Sequence, residues 1–338
     1  MLRTPSITDV DDILVGHFTS ADRPTGCTVI TASAPFVAGV DVRGGAPGTR
    51  EIDLLKPENR VDQVDAIFLS GGSAFGLEAG AGISRYLEEH GRGFDTRVAK
   101  VPIVCGAILF DLALGNPSIR PGAEAGYQAM KAANAERVPE GNVGAGAGAT
   151  VGKLLGHERA MKGGVGSLAV TLRNGLKVGA LAAVNAIGDI IDPATGRIIA
   201  GARRKDGKGF AGAMEQLRKG YQPGSPFRGN TVLGVVATNA RLTKAQCTKV
   251  AQMAQDALAR CICPSHTPWD GDTVFAISTG TWNPKNELDV GVIGALAADA
   301  LAGAIVRGVL ECESWECYPA AKDYAGPKRV KSHNTRKK

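Results

Sequence analysis

"SPFRGNTVLGVVATNARL", residues 225–242, starts as a polar loop and runs directly into a buried strand. Gly229 and Asn230 are turn-forming residues, whereas residues 232–237 are almost wholly apolar. Thr231 lies at the junction between the two. By pattern alone this threonine is an ordinary β-branched residue that opens a strand.

A second stretch repeats the same pattern. "DGDTVFAIST", residues 270–279, places Asp270 and Asp272 directly before an apolar strand. Aspartates are common in turns because their side chains bond to nearby backbone, and this is the ordinary interpretation. If the two strands are neighbours, Thr231 and both carboxylates lie at the same edge of a sheet.

The glycine-rich stretch "GAGAGATVGKLL", residues 144–155, resembles a phosphate-binding loop only in part. Ala147 stands where the first glycine belongs, and Leu154 replaces the hydroxyl residue that holds magnesium. A nucleotide site is therefore not expected. Lys153, beside backbone N–H groups, is suited to stabilising an oxyanion. Asn185 ends an apolar strand and either satisfies local backbone groups or donates its amide to an oxyanion.

The order of strands and helices favours an α+β layered sandwich over a doubly wound sheet. An Asn-Gly turn at residues 174–175 predicts a hairpin, since both central positions of such a turn need positive φ. Helices grouped in pairs, without regular βαβ units, support the layered architecture. Strands are predicted at residues 13–18, 27–31, 36–42, 64–72, 167–172, 176–188, 232–238 and 272–279, and helices at 74–91, 122–134, 243–260 and 287–310.

Charge and composition argue against a nucleic-acid-binding protein. The whole net charge of +6 comes from a basic tail, residues 322–338, which is expected to be disordered. Residues 1–320 are expected to form a single domain. Within it, the basic, glycine-rich residues 202–228 are predicted to be an exposed linker.

The cysteines and the most apolar segment have plain interpretations. Seven cysteines without disulfide-framework spacing indicate reduced thiols in a cytoplasmic protein. Cys261, Cys263 and His266 lack the second ligand pair of a zinc finger, so no metal or other cofactor is expected. Residues 290–310 contain two charged side chains and are predicted to be a buried helix, not a membrane span.

Several separate motifs, in order along the chain, resemble one known family. It is the DmpA-type L-aminopeptidase/D-amidase-esterase family, which also includes β-peptidyl aminopeptidases and nylon-oligomer endo-hydrolases. The resemblance runs from near the N-terminus to about residue 310. The motifs are "VRGGAPGTRE" (42–51), "SGGSAFGLEAGAGI" (70–83), "GAGATVGK" (146–153), "GNTVLGVVATNARL" (229–242) and "PSHTPWDGDTVFAIST" (264–279).

The resemblance implies a four-layer αββα sandwich, similar to the N-terminal-nucleophile hydrolases, and a precursor that cuts itself. The cut would fall between Asn230 and Thr231, giving chains 1–230 and 231–338. Thr231 would then be a new N-terminal nucleophile whose freed α-amine serves as the base. This chemistry is sound in itself, because an α-amine titrates near neutrality and activates an adjacent hydroxyl.

The resemblance also implies roles for four further residues. Asp270 and Asp272 match the acidic pair that orients the nucleophile and its amine, and Lys153 and Asn185 match residues that stabilise the oxyanion. Members with a serine nucleophile tend to have Ser and Glu at the acidic pair. The threonine with Asp-Gly-Asp is most similar to the nylon-oligomer hydrolase branch.

The expected function is an autoprocessing hydrolase that forms an acyl-enzyme on Thr231 and acts on short peptides, amino-acid amides or esters. The alternatives are an endo-acting hydrolase of linear amide oligomers, an acyl transferase, or an uncleaved ligand-binding homologue. The partners expected are a small peptide or amide substrate and further copies of the chain, as a tetramer of processed units, with neither nucleic acid nor membrane.

Overall fold

The computed structural model describes residues 4–222, 229–282 and 290–324. The strands are β1 (Ile13–Thr19), β2 (Gly26–Val42), β3 (Thr49–Arg50), β4 (Val64–Ser70), β5 (Phe94–Asp95), β6 (Lys100–Val101), β7 (Val104–Ile108), β8 (Thr150–Val151), β9 (Met161–Lys162), β10 (Val165–Thr171), β11 (Lys177–Asn185), β12 (Asp189–Ile191), β13 (Ile198–Ala200), β14 (Thr231–Ala240), β15 (Ile262–Cys263) and β16 (Thr273–Trp282). The helices are α1 (Ala79–Glu89), α2 (Ala123–Lys131), α3 (Ala213–Arg218), α4 (Lys244–Ala254), α5 (Asp256–Cys261), α6 (Val290–Leu310) and α7 (Ala321–Tyr324).

β2 is the longest strand and belongs to two sheets. Its first half pairs with β1 and β4, and residues 37–42 pair with β16. The sequence predicted two strands here, at residues 27–31 and 36–42, and this was wrong, because the structure has one continuous strand. The register with β4 shifts between Thr31 and Phe36, so an irregularity accommodates the exposed residues 33–35 without ending the strand.

The two sheets pack face to face. The first has the order β1–β2–β4–β7–β3, and the second has the order β2–β16–β14–β11–β10. Their inner faces form one core, in which Ile67 and Leu69 of the first sheet join Leu233, Val235 and Phe275 of the second. Alternate residues of these strands point outward, where each sheet needs a second cover.

Helices supply that cover on both sides. α1 and α2 pack on the first sheet, where Ile83 and Leu87 meet Phe68. α4 and α6 pack on the second sheet, where Leu301 of α6 lies in one cluster with Val236 of β14, and α5 packs against α6. The layers are therefore helix, sheet, sheet, helix, which confirms the predicted αββα sandwich.

α6 contains the most apolar stretch of the chain. Its length and composition would allow it to cross a membrane, but half of its apolar window is buried inside the protein. Ile293, Leu301 and Ile305 are completely buried in the core of the second sheet. The helix predicted at 287–310 is confirmed over Val290–Leu310, and residues 283–289 lie outside the described part of the chain.

The strand pair β14 and β16 positions the residues that the sequence singled out. The two strands run parallel, with Leu233 opposite Thr273. β11 lies antiparallel on the other side of β14 and places Asn185 opposite Thr231. The start of β14, the start of β16 and the end of β11 therefore meet at one end of the second sheet.

The described part of the predicted linker contains a helix and is hydrogen-bonded to the body of the protein. Residues 202–222 include α3, and only residues 223–228 of the linker lie outside the described part of the chain. The acceptor is the buried Asp189, whose carboxylate accepts the backbone N–H groups of Ala202 and Ala213 at 2.8 and 2.6 Å. These bonds fix the segment to the body of the protein.

One predicted helix and the predicted disordered tail, residues 322–338, differ from the structure at their boundaries. The helix predicted at 243–260 is two helices, α4 and α5, which meet at Gln255, and Thr243 caps α4 as expected by accepting from the Gln246 N–H. At the tail, residues 322–324 belong to α7, and residues 325–338 lie outside the described part of the chain.

Candidate active site

Thr231 is the first residue of β14 and is 4% exposed. Its hydroxyl donates a hydrogen bond to the carbonyl oxygen of Asn230, the residue immediately before it. The same carbonyl accepts the backbone N–H of Gly271 at 2.9 Å. The carbonyl group of the Asn230–Thr231 peptide bond is thus contacted by a hydroxyl and polarised by a backbone donor.

Gly271 lies against the hydroxyl of Thr231. A Cβ atom at this position would lie 2.7 Å from Thr231 Oγ1, which is closer than real Cβ contacts allow. Only glycine therefore lets the segment between the two aspartates approach the threonine so closely. Gly271 lies between Asp270 and Asp272, and no local pattern in the sequence marks its role.

The two aspartates are buried and held by different donors. Asp270 Oδ2 accepts the backbone N–H of Thr267 at 2.8 Å and its hydroxyl at 2.6 Å. Asp272 Oδ1 accepts the N–H of Val232 at 2.8 Å, and its Oδ2 accepts the N–H of His266 at 3.0 Å. Asp272 is therefore hydrogen-bonded to the backbone of Val232, the residue that follows Thr231.

The backbone of this acidic pair rests on a glycine-rich loop whose role the sequence did not reveal. Gly44 donates its N–H to the carbonyl of Asp272 at 3.2 Å, and Ala46 donates to the carbonyl of Asp270 at 2.8 Å. A Cβ at Gly44 would lie 2.3 Å from backbone atoms of both aspartates. In the sequence, "VRGGAPGTRE" was only one of the motifs of the family resemblance, and nothing in it indicated which residues the loop contacts.

Lys153 and Asn185 form the opposite wall of the site. Lys153 begins a short 3-10 turn after Gly152, whose φ is +70°, and its side chain is 1% exposed. Its Nζ donates to the backbone carbonyl of Asn185 at 3.0 Å and to Oδ1 of the same residue at 2.7 Å. Because Asn185 pairs with Thr231, the ammonium is held beside the start of β14.

The Asn185 side chain is engaged differently from the sequence-based expectation. Its Oδ1 also accepts the Thr150 N–H at 3.0 Å, and its Nδ2 donates to the carbonyl of Phe110 at 2.9 Å. The amide was considered as a donor to an oxyanion. In the structure its oxygen fixes Lys153, and one amide hydrogen is directed to Phe110, so the ammonium is the better donor.

Burial shifts two pKa values toward neutrality. It lowers the pKa of the Lys153 ammonium to about 7, although the nearby Asp270 partly opposes this. Burial, together with the neighbouring Asp272, also raises the pKa of the Asp270 carboxyl to about 6. A lysine and a carboxylate that titrate close to pH 7 are typical of sites where protons move during a reaction.

His266 lies at this site, not in a metal cluster. Its Nδ1 is 2.9 Å from Asp272 Oδ2. Cys261, a second residue of the zinc pattern weighed from the sequence, is buried. Its thiol points to the carbonyl of Ala302. Within residues 4–222, 229–282 and 290–324 there is no group of three or more acidic, cysteine or histidine side chains arranged to hold a metal ion.

The chain is similar to known proteins both in fold and in sequence. The solved structure of an L-aminopeptidase D-Ala-esterase/amidase from Ochrobactrum anthropi, a variant of the N-terminal-nucleophile hydrolase fold, matches with a TM-score of 0.68 and 18% identity over 95% of this chain and 93% of that chain. This likeness establishes the fold. The model of peptidase family S58 matches residues 5–321, and the chain belongs to this family.

Curated relatives agree with that assignment. An uncharacterized aminopeptidase of Mycobacterium tuberculosis is 43% identical over 94% of this chain and 97% of its own length. A 6-aminohexanoate-oligomer endohydrolase of Kocuria is 30% identical over 88% of this chain and 84% of its own length. The protein is therefore a hydrolase of peptide or amide bonds.

Proposed function

We propose that the protein is a threonine N-terminal-nucleophile hydrolase that activates itself by cutting the Asn230–Thr231 bond. The observation that carries this proposal is the contact between the Thr231 hydroxyl and the Asn230 carbonyl, which Gly271 polarises from a second direction. A hydroxyl in contact with a polarised carbonyl is arranged for acyl transfer.

The maturation step is an acyl shift followed by hydrolysis. Thr231 Oγ1 attacks the carbonyl carbon of Asn230, and the Gly271 N–H stabilises the oxyanion that forms. The C–N bond breaks, the hydroxyl proton passes to the leaving amine, and Asn230 is left as an ester on Thr231. Water then hydrolyses the ester, which frees the Asn230 carboxylate and the Thr231 hydroxyl and leaves the α-amine that the acyl shift released as the new N-terminus.

Turnover uses the same hydroxyl with a different base. The new α-amine of Thr231 has an ordinary pKa of about 8, so a useful fraction is neutral near physiological pH and can accept the hydroxyl proton. Lys153, as an ammonium, stabilises the oxyanion of the substrate. The leaving amine departs protonated, and water releases the acyl group from Thr231.

The acidic pair orients this chemistry. Asp272 holds the N–H of Val232 and thereby the strand that begins with Thr231. Asp270, held by Thr267, supplies negative charge beside Lys153 and close to where the new amine forms. An ionised carboxylate favours the charged form of both amines.

We infer that the substrates are short peptides, amino-acid amides and esters with a free amino end. The aminopeptidase names of the relatives support this class. The endohydrolase relative favours a second candidate, endo-cleavage of linear amide oligomers, which shares the chemistry but needs no free amine next to the scissile bond.

The test is a hydrolysis assay on two substrate sets with three proteins. Wild-type protein, Thr231→Ser and Thr231→Ala are incubated with aminoacyl amides and with linear amide oligomers, and products are identified by mass. We expect wild type and Thr231→Ser to hydrolyse at least one set, and Thr231→Ala to hydrolyse neither. Release of single N-terminal residues supports the aminopeptidase, and internal fragments support the endo-acting enzyme.

A further inference from the structure

His266 lies between β15 and β16 in a backbone conformation that few residues adopt. Its φ is +55°, in the left-handed region. A non-glycine residue there costs conformational energy and persists only where its surroundings demand it. The Asp272 carboxylate holds His266 in this conformation. Both the backbone N–H and Nδ1 of His266 contact Asp272 Oδ2, at 3.0 and 2.9 Å.

The Asp272 carboxylate connects His266 to the nucleophile strand. One oxygen receives the two contacts from His266, and the other receives the N–H of Val232 at 2.8 Å. Val232 is covalently attached to Thr231. Rotation of the carboxylate would therefore break the bond that fixes the residue next to the proposed nucleophile.

The polarity of the Nδ1 contact follows from its partner. An ionised carboxylate only accepts hydrogen bonds, so Nδ1 of His266 carries the proton and donates. Nε2 is buried and has no hydrogen-bond partner in the part of the chain that the structure describes. The imidazole therefore donates one hydrogen bond, to Asp272, and its Nε2 is buried without a hydrogen-bond partner among the described residues.

We propose that His266 is a positioning residue for the proposed hydrolase: its Nδ1–H locks the Asp272 carboxylate in the orientation that holds Val232 and Thr231 for attack. The inference rests on the proposed function. It assigns to His266 no contact with substrate, so it predicts a loss of rate and not of substrate affinity.

Two substitutions at one position separate this role from backbone strain. His266→Asn retains a side-chain N–H donor close to the position of Nδ1, and asparagine tolerates positive φ. His266→Gly tolerates positive φ even better but has no side chain. Both variants keep the backbone N–H that contacts Asp272, so they differ in the side-chain donor.

The experiment measures two rates for wild type and both variants: self-cleavage of cell-free translated chain, and kcat and KM of the matured protein on a small amide that wild type hydrolyses. We expect His266→Gly to lower both rates about ten- to a hundredfold, the effect of losing a hydrogen bond to an ionised group, with KM within about threefold of wild type. We expect His266→Asn to recover most of both rates.

The outcomes distinguish this inference from the proposed function. If wild type matures and hydrolyses, but the glycine and asparagine variants are equally impaired or both equal wild type, the positioning role of His266 is wrong and the proposed function stands. A rise in KM without a fall in kcat also overturns the positioning role. A wild-type chain that stays intact and hydrolyses nothing overturns the proposed function and the inference together.

Discussion

The hydroxyl of Thr231 donates its hydrogen bond to the carbonyl oxygen of Asn230, the residue immediately before it. The Gly271 N–H binds the same oxygen at 2.9 Å, which places an attacking atom and an oxyanion donor on one peptide bond. The two come together because β14 and β16 are parallel neighbours.

Gly271→Ala should slow self-cleavage about a hundredfold. The added Cβ would lie 2.7 Å from Thr231 Oγ1 and would displace the hydroxyl, and misplacing a reacting atom by about 1 Å costs on this order. Gly122→Ala is the matched control, because there the nearest atom to an added Cβ is 3.4 Å away, on the Glu78 side chain. The intact fraction of cell-free translated chain is followed over time by denaturing electrophoresis. Maturation of Gly271→Ala at the control rate would contradict the arrangement.

Lys153→Met should lower kcat about a hundred- to a thousandfold, the usual effect of removing an oxyanion donor. Lys244→Met is the control. Lys244 is also a buried lysine, but it follows the far end of β14 and its Nζ donates to three backbone carbonyls, those of Leu54, Asn59 and Val61. We expect Lys244→Met to lower the thermal midpoint, since it leaves buried carbonyls without their donor, and to keep kcat.

Steady-state kinetics and thermal unfolding of both variants separate these effects. If Lys153→Met retained wild-type kcat, or if Lys244→Met lost as much kcat as Lys153→Met, the assigned role of Lys153 would be wrong. The comparison uses two lysines of similar burial, so loss of a buried cation alone does not explain a difference.

The rate of self-cleavage should fall as the pH drops through about 6. Burial raises the Asp270 pKa to about 6, and the proposal needs the ionised carboxylate. Because the Asp270 pKa is higher in the folded chain than in the unfolded chain, Asp270 stabilises the fold most at a pH below its pKa in the unfolded chain. This contribution to stability is lost as the pH rises through about 6. Activity and this part of the stability therefore change in opposite directions with pH.

Thr267→Val should shift the acid side of the pH–rate profile of self-cleavage, the acid limb, to higher pH by about one unit. The Thr267 hydroxyl donates to the Asp270 carboxylate at 2.6 Å and lowers its pKa, so its removal raises the pKa further. Thr195→Val is the control, because Thr195 makes a similar bond to Asp192, an exposed aspartate three residues away in a surface turn. Rates are measured from pH 4.5 to 8. An acid limb that stays in place, or moves to lower pH, would show that Asp270 does not set it.

The sequence indicated two parts of this site, the Asn230–Thr231 junction and the Asp270–Asp272 turn, because the same local pattern occurs in both. The repeat of polar turn, threonine and apolar strand implied that Thr231 and the aspartates share one sheet edge if their strands are neighbours, and the parallel pairing of β14 with β16 meets that condition. The layered fold followed from the hairpin and the grouping of helices. These features depend on residues close together in the chain.

The contacts that the sequence did not reveal join distant segments. Gly44 supports the aspartates from more than two hundred residues away, and Gly271 matters only because of its register with Asn230. His266 was considered only as a metal ligand, since nothing local shows that the chain turns at positive φ and brings its ring to Asp272. Local pattern predicts strands but not which backbone atoms meet across them.

Intact mass of the purified protein shows whether the Asn230–Thr231 bond has been cut. Wild-type protein and Thr231→Ala are expressed in parallel, and denatured samples are analysed by mass spectrometry and N-terminal sequencing. The account predicts two wild-type fragments, 1–230 and 231–338, the second beginning at Thr231, and a single intact chain for Thr231→Ala. An intact wild-type chain that still hydrolyses amides, or a Thr231→Ala chain cut at the same bond, would contradict it.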